Sequence, residues 1–314
     1  MENPSAAYCE ELIRLADTRS DIVLITADSS DPIGLGPFIE KHPDKFYDVG
    51  IAEQAMTSIA AGFASLGFTP FVSAFAMFQA LRAGDNIRNG IAYPLLNVKI
   101  VSANISVHVG KNGATHHALE DIAIMRSIPN MTVVSPADAN STRRLIRQVA
   151  EMVGPVYVRL DKVPIPVVYG EDEPVNLGKG KILRTGKDVA ILATGSMVST
   201  AVEASKQLTL QGITSMVIDI HTIKPLDEEV IISCARTNKA IVTVEPHSII
   251  GGLGGAVSEL LGNTLPVPIE RVGIRDRFTE SGLVNDLNHK YGLTVQSVVQ
   301  AVEKVLERKK QHIK

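Results

Sequence analysis

Short apolar runs rich in β-branched residues recur along the whole chain. Longer stretches with helical spacing follow them, and this alternation restricts the fold more than any other feature. Segments 21–28 (DIVLITAD), 46–50, 69–75, 97–104, 131–136 and 156–160 read as strands. Between them SAAYCEELIRLAD, EQAMTSIAAGFASLG and NSTRRLIRQVAEM place apolar residues on one helical face. The strands are continuously apolar rather than alternating, which suits a parallel sheet covered on both sides. The pattern stops over DKVPIPVVYGEDEPVNLGKG (161–180), whose three prolines and three glycines suit a connection. It resumes at 187–195, 215–220, 239–246 and 265–273, and a last helix is predicted from about 294 to 309. The predicted fold class is α/β, with two consecutive domains that are each a mostly parallel sheet covered by helices. Domain one is expected over 1–163, a linker over 164–180 and domain two over 181–314. A length of 314 residues accommodates two such domains.

With 45% hydrophobic and 21% charged residues the chain can bury two ordinary cores, which excludes a disordered chain. A net charge of -3 gives no footing for nucleic acid, and Lys309 and Lys310 read as a solvated helix end. Cys9 and Cys234 are far apart and lack metal-like spacing, so neither a disulfide framework nor a metal site is expected. The first residues, MENPSAAYCEELIRLAD, lack the basic start and apolar core of a signal peptide. No apolar run approaches the roughly 20 residues of a membrane span. The expectation is a cytoplasmic protein without nucleic-acid or membrane partners.

In open α/β sheets, ligands lie in the crevice outside the carboxyl ends of strands. Asp28, Glu53, the loop 104–118 and residues 159–162 are candidates for such a crevice. Glu53 opens a helix of small residues, and on its own it reads as an ordinary first-turn acid favoured by the helix dipole. Phe75 and Phe78 share a helical face at a spacing of three, where core packing is an equal reading. The loop ANISVHVGKNGATHHALED (103–121) gathers His108, Asn112, Thr115, His116 and His117 behind an apolar strand, as in an active-site loop. Adjacent His116 and His117 are poorly placed to converge on one metal ion. Gly252-x-Gly254-x-x-Val257 lacks the third glycine of a dinucleotide fingerprint and lies late in the chain.

The stretches DVGIAEQAMTSIAAGFASLGFTPFVSAFAMFQALRAGDNIR (48–88) and GKNGATHHALEDIAIMRSIPNMTVVSPAD (110–138) resemble the pyrimidine-binding domain of transketolases and their thiamine-diphosphate relatives. DIHTIKPLD (219–227) and TVEPHSIIGGLGGAVSELLG (243–262) resemble the C-terminal domain of the same family. The resemblance covers nearly the whole chain but only the C-terminal half of a full-length transketolase. It implies that Glu53 meets the cofactor's aminopyrimidine, where a carboxyl group shares a proton with the ring nitrogen and so activates the thiazolium carbon. By the same resemblance Phe75 and Phe78 embrace the pyrimidine, Asp28 lines the cleft, and His116 contacts the donor sugar's carbonyl or hydroxyl oxygen.

Several positions depart from the family pattern. Leu81 stands where a third aromatic is usual, Asn112 for an aspartate, Asn104 for a substrate histidine, and His108 for a small residue. Of two phosphate-binding arginines, one aligns with Ser5 and the other with Lys162, with Arg159 close by. The family's Gly-Asp-Gly…Asn anchor for magnesium and diphosphate has only Gly84-Asp85-Asn86 as a near match, inside a predicted helix. The resemblance therefore implies a split transketolase, active with a partner subunit that carries the anchor and holds Mg2+, as an α2β2 heterotetramer. It would pass a two-carbon ketol unit from a ketose-like donor to an aldehyde on a non-standard substrate, with Asn104, His108, Asn112, His116 and Lys162 toward that substrate. A 2-oxoacid decarboxylating or acyloin-forming subunit, and a catalytically silent assembly subunit, stand as the alternatives.

Overall fold

The computed structural model describes residues 1–312. Among the described residues twelve strands form two sheets. The first contains β1 (Ile22–Thr26), β2 (Phe46–Asp48), β3 (Thr69–Phe75), β4 (Lys99–Ala103), β5 (Thr132–Val134) and β6 (Val156–Arg159). The second contains β7 (Lys181–Arg184), β8 (Val189–Ala193), β9 (Ser215–Asp219), β11 (Ile241–Ser248) and β12 (Ile269–Ile274). The remaining strand, β10 (Thr222–Lys224), lies in the second half of the chain but pairs antiparallel with β5 at the edge of the first sheet.

The orders are β10-β5-β6-β4-β3-β1-β2 and β12-β11-β8-β9-β7. Apart from β10 and β7 every pair is parallel. All residues of β1, β4 and β8 are buried, as the unbroken apolar runs predict for strands covered on both faces. Helices Pro4–Thr18 and Ala139–Glu151 pack against each other on one face, burying Leu12, Leu15, Leu145 and Val149 in the core. Helix Glu53–Ser65 crosses the other face and buries Met56 and Ala60 there. Because β1 has β2 on one side and β3 on the other, the chain reverses its winding between β1 and β3. A crevice opens outside the carboxyl ends of such neighbours.

Ten of these twelve strands coincide with the apolar runs expected to be strands. The two that do not, β7 and β10, are short and lie at sheet edges, where few neighbours constrain composition. The stretch between the sheets is well anchored. Asp138, at the N-terminus of helix Ala139–Glu151, accepts from the Val168 and Tyr169 N–H groups at 2.6 and 2.8 Å. Tyr169 in turn donates its hydroxyl to Asp219 at 2.6 Å. Burial pushes the Asp219 carboxyl up to about 8, against the opposing effect of that hydrogen bond. The folded chain therefore holds a proton that the unfolded chain releases near pH 4, so stability falls as pH rises from about 4 to about 8. The full slope for one group is about 1.4 kcal/mol per pH unit. Asp219→Asn is expected to flatten this part of the stability–pH curve in urea denaturation. An unaltered slope would show that Asp219 is ionised in the fold.

Candidate functional site

Three strand ends of the first sheet build the crevice. After β1 the backbone bends at Asp28, whose φ of 52° is a left-handed conformation rarely adopted outside glycine, asparagine and aspartate. Asp48, which the sequence reading did not single out, holds this bend. Its carboxylate accepts from Thr26 Oγ1 at 2.7 Å and from the Asp28 and Gly50 N–H groups at 3.2 and 2.8 Å. The Asp28 side chain itself is exposed. After β4 a second left-handed residue, Asn104 (φ 59°), is 2% exposed, and its Nδ2 has no hydrogen-bond partner among the described residues. Strained residues of this kind persist where surrounding structure over-determines them, and they cluster at functional sites.

Glu53 is the first residue of its helix and only 1% exposed. A buried carboxylate needs a partner, and the partner is Arg82, whose Nη1 donates to Glu53 Oε2 at 2.7 Å. Arg82 ends a π-helical turn, Phe78–Arg82, closed by the Ala83 N–H donating to the Phe78 carbonyl. Its guanidinium lies 4.5 Å from the Phe78 ring centroid, a cation–π distance. The Phe78 ring is 5.7 Å from Phe75 and 5.1 Å from His116, and Phe75 is 5.6 Å from His116. Both phenyl–imidazole contacts are edge-to-face. Glu53, Arg82, Phe78, Phe75 and His116 thus form one continuous cluster. Arg82 is the member that the sequence reading missed, although an arginine four residues beyond Phe78 on a helix was the available signal. Phe75 closes β3 rather than sharing a helix with Phe78.

The histidine pair divides its work. His116 faces the aromatics and hydrogen-bonds Thr115 Oγ1 at 2.9 Å, whereas His117 is buried and turns toward the second domain. His108 hydrogen-bonds Asp161 and, with Ser196 and Asn288, lines a cavity of about 330 Å³ between the domains. Burial disfavours its charge, but the Asp161 carboxylate outweighs this and holds the imidazole above its ordinary pKa. Asn112 and Lys162 are exposed.

Arg159 is not available to grip a phosphate. It is fully buried, donates to Asp121 at 2.6 Å and to the Ala118 and Pro246 carbonyls at 3.2 and 2.9 Å. Ser5 is likewise buried and donates to the Asp161 carbonyl at 3.1 Å. The glycines of the weak dinucleotide pattern also find an internal use. The Leu253 and Gly254 N–H groups, at the start of helix Leu253–Asn263, donate to the Glu245 carboxylate at 2.7 and 2.9 Å. That helix terminus already has its anion. A Cβ on Gly252 would stand 1.9 Å from Glu245 Oε2, so only glycine fits. Asp85, in the near match to the metal anchor, accepts from Asn89 Nδ2 at 2.6 Å.

The Arg82–Glu53 pair is half-open, with the Arg82 side chain 44% exposed and that of Glu53 buried. Arg82→Ala strands a buried carboxylate and is expected to cost about 1–3 kcal/mol in urea denaturation. Arg82→Lys keeps the charge but loses the planar stack on Phe78, and should fall between. Equal stability of all three proteins would show that the pair does not hold Glu53.

Residues 3–166 match the family described as the transketolase pyrimidine binding domain, and residues 178–298 match the transketolase C-terminal domain. A putative transketolase C-terminal section of Methanocaldococcus jannaschii is 42% identical over 304 residues, covering 96% of this chain and 95% of the relative. A protein of Clostridium sp. described as a 6-deoxy-6-sulfo-D-fructose transketolase subunit, SqwH, is 42% identical over 302 residues, covering 96% and 94%. Among solved structures, a split-gene transketolase described as an inactive beta4 tetramer superposes with a TM-score of 0.92 at 43% identity, covering 98% of this chain and 100% of that one. By these matches the chain belongs to the transketolase family, of which it carries the pyrimidine-binding and C-terminal domains.

Proposed function

We propose that this chain is the β-type subunit of a split transketolase, transferring a two-carbon ketol unit from a ketose-like donor to an aldehyde only when joined to a diphosphate-binding subunit. The observation that carries this reading is the buried Glu53 carboxylate beside the Phe75–Phe78–His116 cluster. An aminopyrimidine needs an acceptor at its ring edge and an apolar surface for its face, and these residues offer both. Thiamine diphosphate fits them, and when bound it supplies the nucleophilic carbon. Glu53 holds the proton at the pyrimidine ring nitrogen, Phe75 and Phe78 orient the ring, and Asp28 lines the cleft. His116 handles the donor's carbonyl or hydroxyl oxygen, the unpartnered Asn104 amide reads a hydroxyl, and His108, Asn112 and Lys162 complete the substrate side. Mg2+ and the diphosphate belong to a Gly-Asp-Gly…Asn motif on the partner, in an α2β2 heterotetramer acting in the cytoplasm. The pyrimidine-binding unit spans 1–163, the linker 164–180 and the C-terminal unit 181–314, with β10 reaching back to the first sheet.

A non-standard substrate is part of the proposal. Ser5 and Arg159 are spent on internal contacts, which leaves Lys162 as the exposed cation of the three positions. Lysine lacks the bidentate fork that grips a phosphate best.

Two measurements on reconstituted protein test the reading. The isolated chain should show no turnover and weak cofactor binding, and adding the diphosphate-binding subunit should restore both. In that complex Glu53→Gln should slow exchange of the cofactor's thiazolium proton by roughly 10²–10⁴-fold with the fold retained. Turnover by the chain alone, or an unchanged exchange rate, overturns the assignment. For the substrate, xylulose 5-phosphate and ribose 5-phosphate should react with kcat/KM below about 10⁴ M⁻¹s⁻¹. Values above that would show that the altered positions are neutral.

A further inference from the structure

The loop that carries His116 is pressed against the second domain along most of its length. Gly113, at φ +73°, lies so close to Ser281 that a Cβ there would stand 2.5 Å from Ser281 Oγ. The His116 and His117 N–H groups both donate to the Gly113 carbonyl, at 3.0 and 3.1 Å, so the position of Gly113 sets theirs. His117 reads both sides of this contact. Its Nε2 lies 3.1 Å from the Gly110 carbonyl and its Nδ1 2.7 Å from Thr279 Oγ1. A carbonyl can only accept, so Nε2 carries the proton and donates to Gly110. Nδ1 then accepts from the Thr279 hydroxyl. Burial disfavours the charged imidazolium and lowers the His117 pKa, consistent with this single neutral tautomer. Thr279 itself is 6% exposed. Farther along, the Ser248 N–H donates to the Leu119 carbonyl at 2.9 Å, so the loop is tied to the second domain again just past His117.

We infer that the C-terminal domain braces the active-site loop, and that Thr279 is a positioning residue which fixes the direction of His116 by holding the neighbouring His117 in one tautomer and orientation. The inference rests on the proposed role of His116 toward substrate. Thr279 acts through its hydrogen bond to His117 and bonds neither His116 nor Glu53 among the described residues. Its effect should therefore appear in steps that need His116 and be missing from the step that needs only Glu53.

Thr279→Val keeps the shape and removes the hydroxyl, and Thr279→Ser keeps the hydroxyl. In the isolated chain, hydrogen–deuterium exchange of a peptide covering 104–118 should quicken in the valine variant and return to the parent rate in the serine variant. A control peptide covering β8 should not change. In the reconstituted complex the valine variant should lose kcat/KM for the donor by on the order of 10- to 100-fold, while exchange of the cofactor's thiazolium proton stays at the parent rate. The inference is overturned if the loop exchanges equally fast in all three proteins. It is also overturned if the valine variant keeps parental kcat/KM, or if cofactor activation falls in parallel with it. Failure of the transketolase reading would be seen separately, as absence of thiazolium exchange in the unmodified complex, and the loop-exchange arm would still decide whether Thr279 braces the loop.

Discussion

A guanidinium with no solvent contact joins the parts of this molecule. Arg159, at the end of β6, reaches back to Asp121 at the start of helix Asp121–Ser127, the carbonyl of Ala118 in the loop that carries His116, and the carbonyl of Pro246 in the second domain. Breaking a buried pair of this kind costs about 3–5 kcal/mol, because the surviving charge is left without water or partner. A surface pair such as Lys41–Asp17 is solvated and screened, and contributes far less. The difference decides which contacts shape the fold. Sheet, loop and second domain meet at Arg159, and the rest of the crevice is arranged around elements that it fixes.

The crevice itself is half a site. In it stand a buried carboxylate, two phenyl rings and an imidazole within contact of one another. Close by in the chain, two residues before Glu53 and one before Arg82, Ile51 and Leu81 are 74% and 51% exposed. Large apolar side chains flanking a buried charge suit a surface that is covered on assembly, in keeping with the proposed diphosphate-binding partner. Until then Arg82 neutralises Glu53 and covers part of Phe78, so the acidic group is not left alone in an apolar setting.

The strands and the crevice were legible because they follow from patterns that a single chain displays: buried strands are continuously apolar, and site loops follow their carboxyl ends. Glu53, Phe75, Phe78 and His116 stand out by resemblance, since a first-turn glutamate and two phenylalanines have ordinary readings of their own. What stayed hidden depends on long-range pairing. Nothing local in VYVRL distinguishes an arginine that grips a phosphate from one fully buried against Asp121. Nothing in THH reveals that one histidine faces two phenyl rings while its neighbour bonds a threonine 162 positions later. Edge strand β10 escaped for the same reason, being three residues whose partner lies in the other half of the chain.

That edge strand bears on how the chain can be divided. β10 covers the open side of β5 by pairing Thr222 with Val134 and Lys224 with Val133. A fragment cut in the Pro- and Gly-rich stretch near residue 180 would keep every residue of the first domain by sequence count, yet expose the backbone donors and acceptors of β5. Uncovered edges are templates for pairing with other chains. The two halves are therefore modules by composition but not by hydrogen bonding, and an insertion between them is safer than a cut.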